Sequence, residues 1–156
     1  EPGTSYNAWN RVDVDTYEPY NTYTLNQHVF YLGDIYVVVN VTNANANVPG
    51  TLFNAWNLVN DSEWHDFNVY QQDDYVFYED FAYRVVNPTN ANNNVIPGSV
   101  NDAWNRVGTL YYQSYNTYNI NDIAIYENVT YIALQTATNI TPGTPGSETY
   151  WALYSN

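Results

Sequence analysis

"PGTLFNAWNLV" runs from Pro49 to Val59, and its near copies decide how the rest of the chain is read. "PGTSYNAWNRV" spans Pro2 to Val12, and "PGSVNDAWNRV" spans Pro97 to Val107. A worn form, "PGSETYWALY", lies at Pro145 to Tyr154. Trp9, Trp56 and Trp104 thus recur at a nearly constant step. Other aromatics keep it. Tyr31, Tyr78 and Tyr126 hold one spacing from their Trp, and Tyr36, Tyr83 and Tyr131 come five later. Tyr23, Tyr70 and Tyr118 also align, as do Tyr17, Trp64 and Tyr112, and Tyr20, Phe67 and Tyr115. A period of this length marks an array of supersecondary units.

Each period reads as three or four short strands. "AWNRV" is one. "YTLNQHVFY", "YQQDDYVFY" and "YNINDIAIY" each join a turn to an alternating strand, and "IYVVV", "AYRVV" and "TYIAL" return through the tight turns "LGD", "EDF" and "ENV". Asn-rich loops follow, then Pro-Gly and the next Trp. Tyr, Val, Ile and Thr favour strands, while Asn, Gly and Pro favour turns. Helical periodicity is not convincing anywhere. The expected class is all-β: three small tandem antiparallel modules of about 48 residues in an elongated array.

Composition narrows the function. The 156 residues carry three Arg, no Lys and 16 Asp or Glu, for a net charge of −13. Such a chain is repelled by nucleic acid and by anionic lipid, so neither is an expected partner. Cys is absent, which removes disulfides, thiolate metal sites and cysteine nucleophiles. Met is absent even at position 1, so the chain reads as processed or as a piece of something longer. A signal removed before Glu1 fits an exported protein. Aromatics at 18% against charged residues at 12% are the reverse of a disordered composition.

No constellation of catalytic residues stands out. The two histidines, His28 and His65, fall in no shared column. Asp73–Asp74 and Glu79–Asp80 are pairs of the kind a glycosidase needs around its bond. Both sit in expected turns of one repeat only, where solvated turns or a weak Ca²⁺ site are the alternatives. No cofactor is expected. Four N-x-S/T sequons occur, at Asn40, Asn60, Asn128 and Asn139. With 25 Asn in the chain, about three or four would arise by chance. The columns Tyr17/Trp64/Tyr112 and Tyr20/Phe67/Tyr115 lie among Asn, Asp and Pro. Exposed rings there would stack on sugars; otherwise they pack between repeats or subunits.

The order of Trp, Y-x-x-G/N-D-x-V/A-x-Y, a turn, Y-x-A, a polar loop, Pro-Gly and a closing Trp resembles the family 5/12 carbohydrate-binding modules. These are the chitin-binding type 3 modules of chitinases and cellulases. The closest stretch is Tyr118 to Tyr154, which looks most like copies in phage tail and fibre proteins. The resemblance covers nearly the whole chain as three overlapping modules, 1–59, 55–107 and 103–156, that share Trp strands. It implies a structural core built on Trp9, Trp56, Trp104 and Trp151, which Tyr31, Tyr36, Tyr78, Tyr83, Tyr126 and Tyr131 join as core or sheet-face residues by their alternation along the strands. Family members that bind sugar carry exposed aromatics just after the Y-x-A strand. Here those places read Val39-Asn40, Val86-Asn87 and Leu134-Gln135, so a sugar site would fall on the six rings of the longer stretch. The resulting expectation is a non-enzymatic fibre component of a virion surface or an extracellular filament, associating with its own copies or other fibre subunits. The alternative is a secreted chitin- or cellulose-binding protein, alone or as part of a larger glycoside hydrolase.

Overall fold

A computed structural model describes residues 16–59 and 61–154. Trp9 and Asn60 lie outside the described residues. The described chain is all-β apart from two single helical turns. In order the elements are β1 (His28–Tyr31), β2 (Asp34–Val38), α1 (Val41–Ala44), β3 (Trp56–Leu58), β4 (Tyr75–Tyr78), β5 (Phe81–Val85), α2 (Pro88–Ala91), β6 (Trp104–Arg106), β7 (Thr117–Tyr118), β8 (Ile123–Tyr126), β9 (Val129–Ala133), β10 (Ala137–Thr138) and β11 (Trp151–Leu153).

The chain divides into two compact units, Glu1–Val69 and Tyr70–Asn156. The first holds the antiparallel sheet β1-β2-β3. The second holds β4-β5-β6, β8-β9-β11 and the two-stranded β7-β10. The three-stranded sheets repeat one register. Val29 faces Tyr36, Val76 faces Tyr83 and Ala124 faces Tyr131. The Trp strand closes each sheet, with Trp56 opposite Val38, Trp104 opposite Val85 and Trp151 opposite Ala133.

Turn chemistry sets that register. The hairpins turn on Leu32–Gly33, Glu79–Asp80 and Glu127–Asn128, all with positive φ (51° and 99°, 47° and 66°, 50° and 63°). Two positive φ values in sequence match the right-handed strand twist that a two-residue hairpin requires. The strand alternation then sends Val29, Val76 and Ala124 inward, at 1%, 3% and 0% exposure.

Around each closing Trp lies a small core. In the first unit, Trp56 packs with Tyr23, Val29, Tyr36, Val38, Ala44 and Ala55. Around Trp151 the members are Tyr118, Ala124, Ala133 and Ala137. Each indole N–H donates to a loop carbonyl: Trp56 to Asn47 at 3.0 Å, Trp104 to Val95 at 2.8 Å and Trp151 to Ile140 at 2.8 Å. A buried indole needs such a partner, so the loop and the core fix each other.

Two local features differ from the sequence expectation. The first two Asn-rich loops each contain a helical turn. Asn40 and Asn87 cap these turns through side-chain oxygens that accept from the Asn43 and Asn90 N–H groups. Asn is among the best N-caps, and Pro88 supplies a preset φ at the helix start. The third loop has Gln135 and no such cap, and its chain instead forms β10. The second difference concerns the last Pro-Gly. The pair equivalent to Pro49–Gly50 and Pro97–Gly98 is Pro142–Gly143, not Pro145–Gly146. Gly50, Gly98 and Gly143 each lie with positive φ against the hydroxyl end of Tyr36, Tyr83 or Tyr131, whereas Gly146 has open space.

Candidate functional site

The recurrent feature with the most specific chemistry is the border of the Trp strand. The residue after Trp is Asn in β3 and β6. Asn57 donates to the Val69 carbonyl at 2.8 Å and accepts from the Val69 N–H at 2.7 Å. Asn105 does the same with Thr117, at 2.6 Å both ways. The exchange is answered from the other side. Asn68 accepts from the Leu58 N–H, and Asn116 both accepts from the Arg106 N–H and donates to the Arg106 carbonyl. A carboxamide carries one carbonyl and one NH₂, so it satisfies a strand residue as another peptide group would.

The device recurs between the end of each helical turn and the segment that leads into β1 or β4. Asn45 exchanges two bonds with the Tyr23 backbone, and Asn92 does so with Tyr70. At the equivalent place in the last repeat a real ladder takes over, pairing Ala137 with Tyr118. Side-chain amides thus finish sheets whose strands are too short to pair along their length. Buried backbone groups must be satisfied somewhere, and six of the 25 asparagines serve here.

Next to these clamps lie the aromatic columns. Tyr17 stacks on Tyr23 with centroids 5.6 Å apart and meets Tyr31 and Trp56 edge-on. Tyr112 repeats this against Tyr118, Tyr126 and Trp151. Phe67 lies 6.3 Å from Tyr36, and Tyr115 lies 6.3 Å from Tyr83. All six rings singled out for sugar stacking, Tyr17, Tyr20, Trp64, Phe67, Tyr112 and Tyr115, are half-buried. Tyr17 and Phe67 pack against the Trp56 core, and Tyr112 against the Trp151 core. Of the expected core residues, Trp56, Trp104, Trp151, Tyr36 and Tyr83 are buried, while Tyr31, Tyr78, Tyr126 and Tyr131 are half-buried.

Burial pushes the phenols up. Tyr83 and Tyr118 are raised to about 12, and Tyr23, Tyr36 and Tyr112 move in the same direction for the same first reason. The Tyr23 hydroxyl donates to the Glu18 carbonyl at 2.9 Å and accepts from the Glu18 N–H at 2.6 Å, and the accepted bond partly offsets its shift.

The acidic pairs are used by turns. Asp74 accepts from the Gln71 N–H at 2.6 Å, and Asp73 meets Arg84 at 3.0 Å. Glu79 and Asp80 are the two hairpin residues themselves. Asp61 accepts from the Glu63 N–H and contacts His65 at 2.9 Å, and those two partners hold its carboxyl below the usual range. His28 is exposed on β1. Among the described residues no group of three or more His, Asp or Glu is placed to hold a metal. No helix among them is long and apolar enough to cross a membrane. Of the sequons, Asn40 caps α1, while Asn128 and Asn139 are exposed at positive φ.

Sequence reasoning passes over the clamps, although their signal is present. Asn57 and Asn105 follow Trp directly, and Asn68 and Asn116 stand at one fixed interval beyond them. No protein-family model matches the chain, and no curated protein is found similar to it.

Proposed function

We propose that this chain is a non-enzymatic structural or adhesive component of a virion-surface or extracellular fibre. In this reading it consists of three tandem modules, like family 5/12 carbohydrate-binding modules, that share their Trp strands. The observation that supports it most is the double use of β3 and β6. Each pairs with the preceding strand through its backbone. Each also exchanges amide bonds with the segment that follows, Asn57 with Val69 and Asn105 with Thr117. A strand bonded on both sides couples its neighbours, as interfaces do in solenoids. A scaffold under tension needs that coupling.

Four of the column rings, Tyr17, Phe67, Tyr112 and Tyr115, fit the same role, because they are taken up by packing. An acidic exterior without Lys, with three Arg in all, offers trypsin few sites and suits an exposed protein. Light scattering across a concentration series, with electron microscopy of the concentrated sample, tests the reading: it expects ordered association. Tight, salt-insensitive retention on chitin, cellulose or host-envelope glycans by a chain that never associates would replace it with a polysaccharide-binding function.

A further inference from the structure

The seats beside the three Pro-Gly turns are alike in build and unlike in cover. In the first, Tyr36 lies against Gly50 and beneath Phe67, and is 8% exposed. In the second, Tyr83 lies against Gly98 and beside Tyr115, and is 5% exposed. Both covering rings come from the segment that follows the Trp strand. In the third, Tyr131 lies against Gly143 and is only half-buried. Leu153, its partner across β9 and β11, is 70% exposed, whereas the matching Leu58 is half-buried and packed on the core. A cleft of about 230 Å³ opens there, lined by Tyr131, Gly143, Ser147, Trp151 and Leu153.

The column that supplies the covering rings has three members, and among the described residues two of them cover such a seat. Tyr20 aligns with Phe67 and Tyr115. Among the described residues no aromatic ring lies against it. We propose that the cleft beside Tyr131 is a docking seat for a second copy of this chain, which inserts Tyr20 as Phe67 and Tyr115 insert within one chain. The inference rests on the repeat reading above and names the partner.

The contact keeps only part of the internal joint. Ala152 stands where Asn57 and Asn105 stand, so the amide clamp is missing and packing carries the association. Donor and acceptor are different surfaces, so the contact is heterologous and propagates from copy to copy. Each copy carries −13, and Glu148 lies at the cleft. Screening by salt should therefore strengthen the association.

The experiment uses the full chain in sedimentation and light scattering over a range of protein and salt concentrations. Wild type is expected to form multimers that grow with both. Tyr20→Ser and Thr144→Trp should each weaken association by about tenfold or more, as loss of an interface anchor does. Thr144 is exposed at the cleft, so its replacement blocks the seat without opening a core. The chain has no Cys, so an engineered disulfide reports only introduced positions. A mixture of Tyr20→Cys and Thr144→Cys chains should give cross-linked heterodimers, and the double variant a ladder. Association unchanged by both blocking variants, or cross-links only between like positions, overturns the docking and leaves the fibre reading standing. A wild-type chain that stays monomeric at every concentration and salt overturns both.

Discussion

Replacing Asn105 by Ala isolates the amide clamp. Asn105 is 8% exposed and makes two bonds of 2.6 Å to the N–H and carbonyl of Thr117. Each bond is worth about 1 kcal/mol net, and a buried group left unsatisfied costs about 1–3 kcal/mol. Thr117 is half-buried, so water reaches part of what the side chain abandons. The expected loss is about 2–4 kcal/mol against a total of roughly 5–15 kcal/mol for a typical domain. Asn105→Asp should be at least as damaging at neutral pH, because a carboxylate faces the Thr117 carbonyl with no donor. Its deficit should shrink as pH falls through the carboxyl range, where protonation restores one. Urea unfolding followed by tryptophan fluorescence gives the stability. Hydrogen exchange at the Thr117 amide gives the local effect. A loss below about 0.5 kcal/mol, with Thr117 protection unchanged, would refute the claim that these amides act as missing strand residues.

Gly98→Ala places a Cβ 2.9 Å from the Tyr83 hydroxyl at φ +80°, whereas Gly33→Ala meets open space at φ +99°. Both carry the left-handed penalty of roughly 1–2 kcal/mol, and thermal melts should show the larger loss for Gly98→Ala. Trp56→Ala should cost about 3–5 kcal/mol. Hydrogen exchange should show lost protection both in β2 and at Val69, and intact protection at Val69 would argue against the shared strand. Alkali should unfold the chain through its phenols. Tyr83 and Tyr118 are raised to about 12 from 10.0, so their stabilisation is complete below pH 10 and is lost as pH rises toward 12. The last part of the tyrosinate absorbance should then appear together with the change in circular dichroism; ionisation of all 18 phenols near pH 10 in a chain that stays folded would contradict the burial of Tyr83 and Tyr118.

The repeat makes most of the strand plan legible. The turns LGD, EDF and ENV are readable because two-residue hairpins have strict φ demands. The β1–β2, β4–β5 and β8–β9 pairs follow from them by alternation. The helical turns after β2 and β5 are not readable by periodicity, because so short a segment shows no period. Their signal lies in Asn40 and Asn87 as caps, residues that serve loops equally well. The final Pro-Gly misleads because Pro145–Gly146 repeats the letters, while Gly143 has the contact with Tyr131.

The sequence by itself determined the class, the period, the hairpin register and the acidic, cysteine-free character. These depend on near neighbours and on composition, which a string of residues records directly. Only the tertiary structure decided what the clamp asparagines and the packed tyrosines do. An amide reads the same whether it faces water or replaces a peptide group far along the chain. A ring reads the same whether it is stacked on a tyrosine or open to water, because its partner is chosen by the fold that brings distant segments within reach.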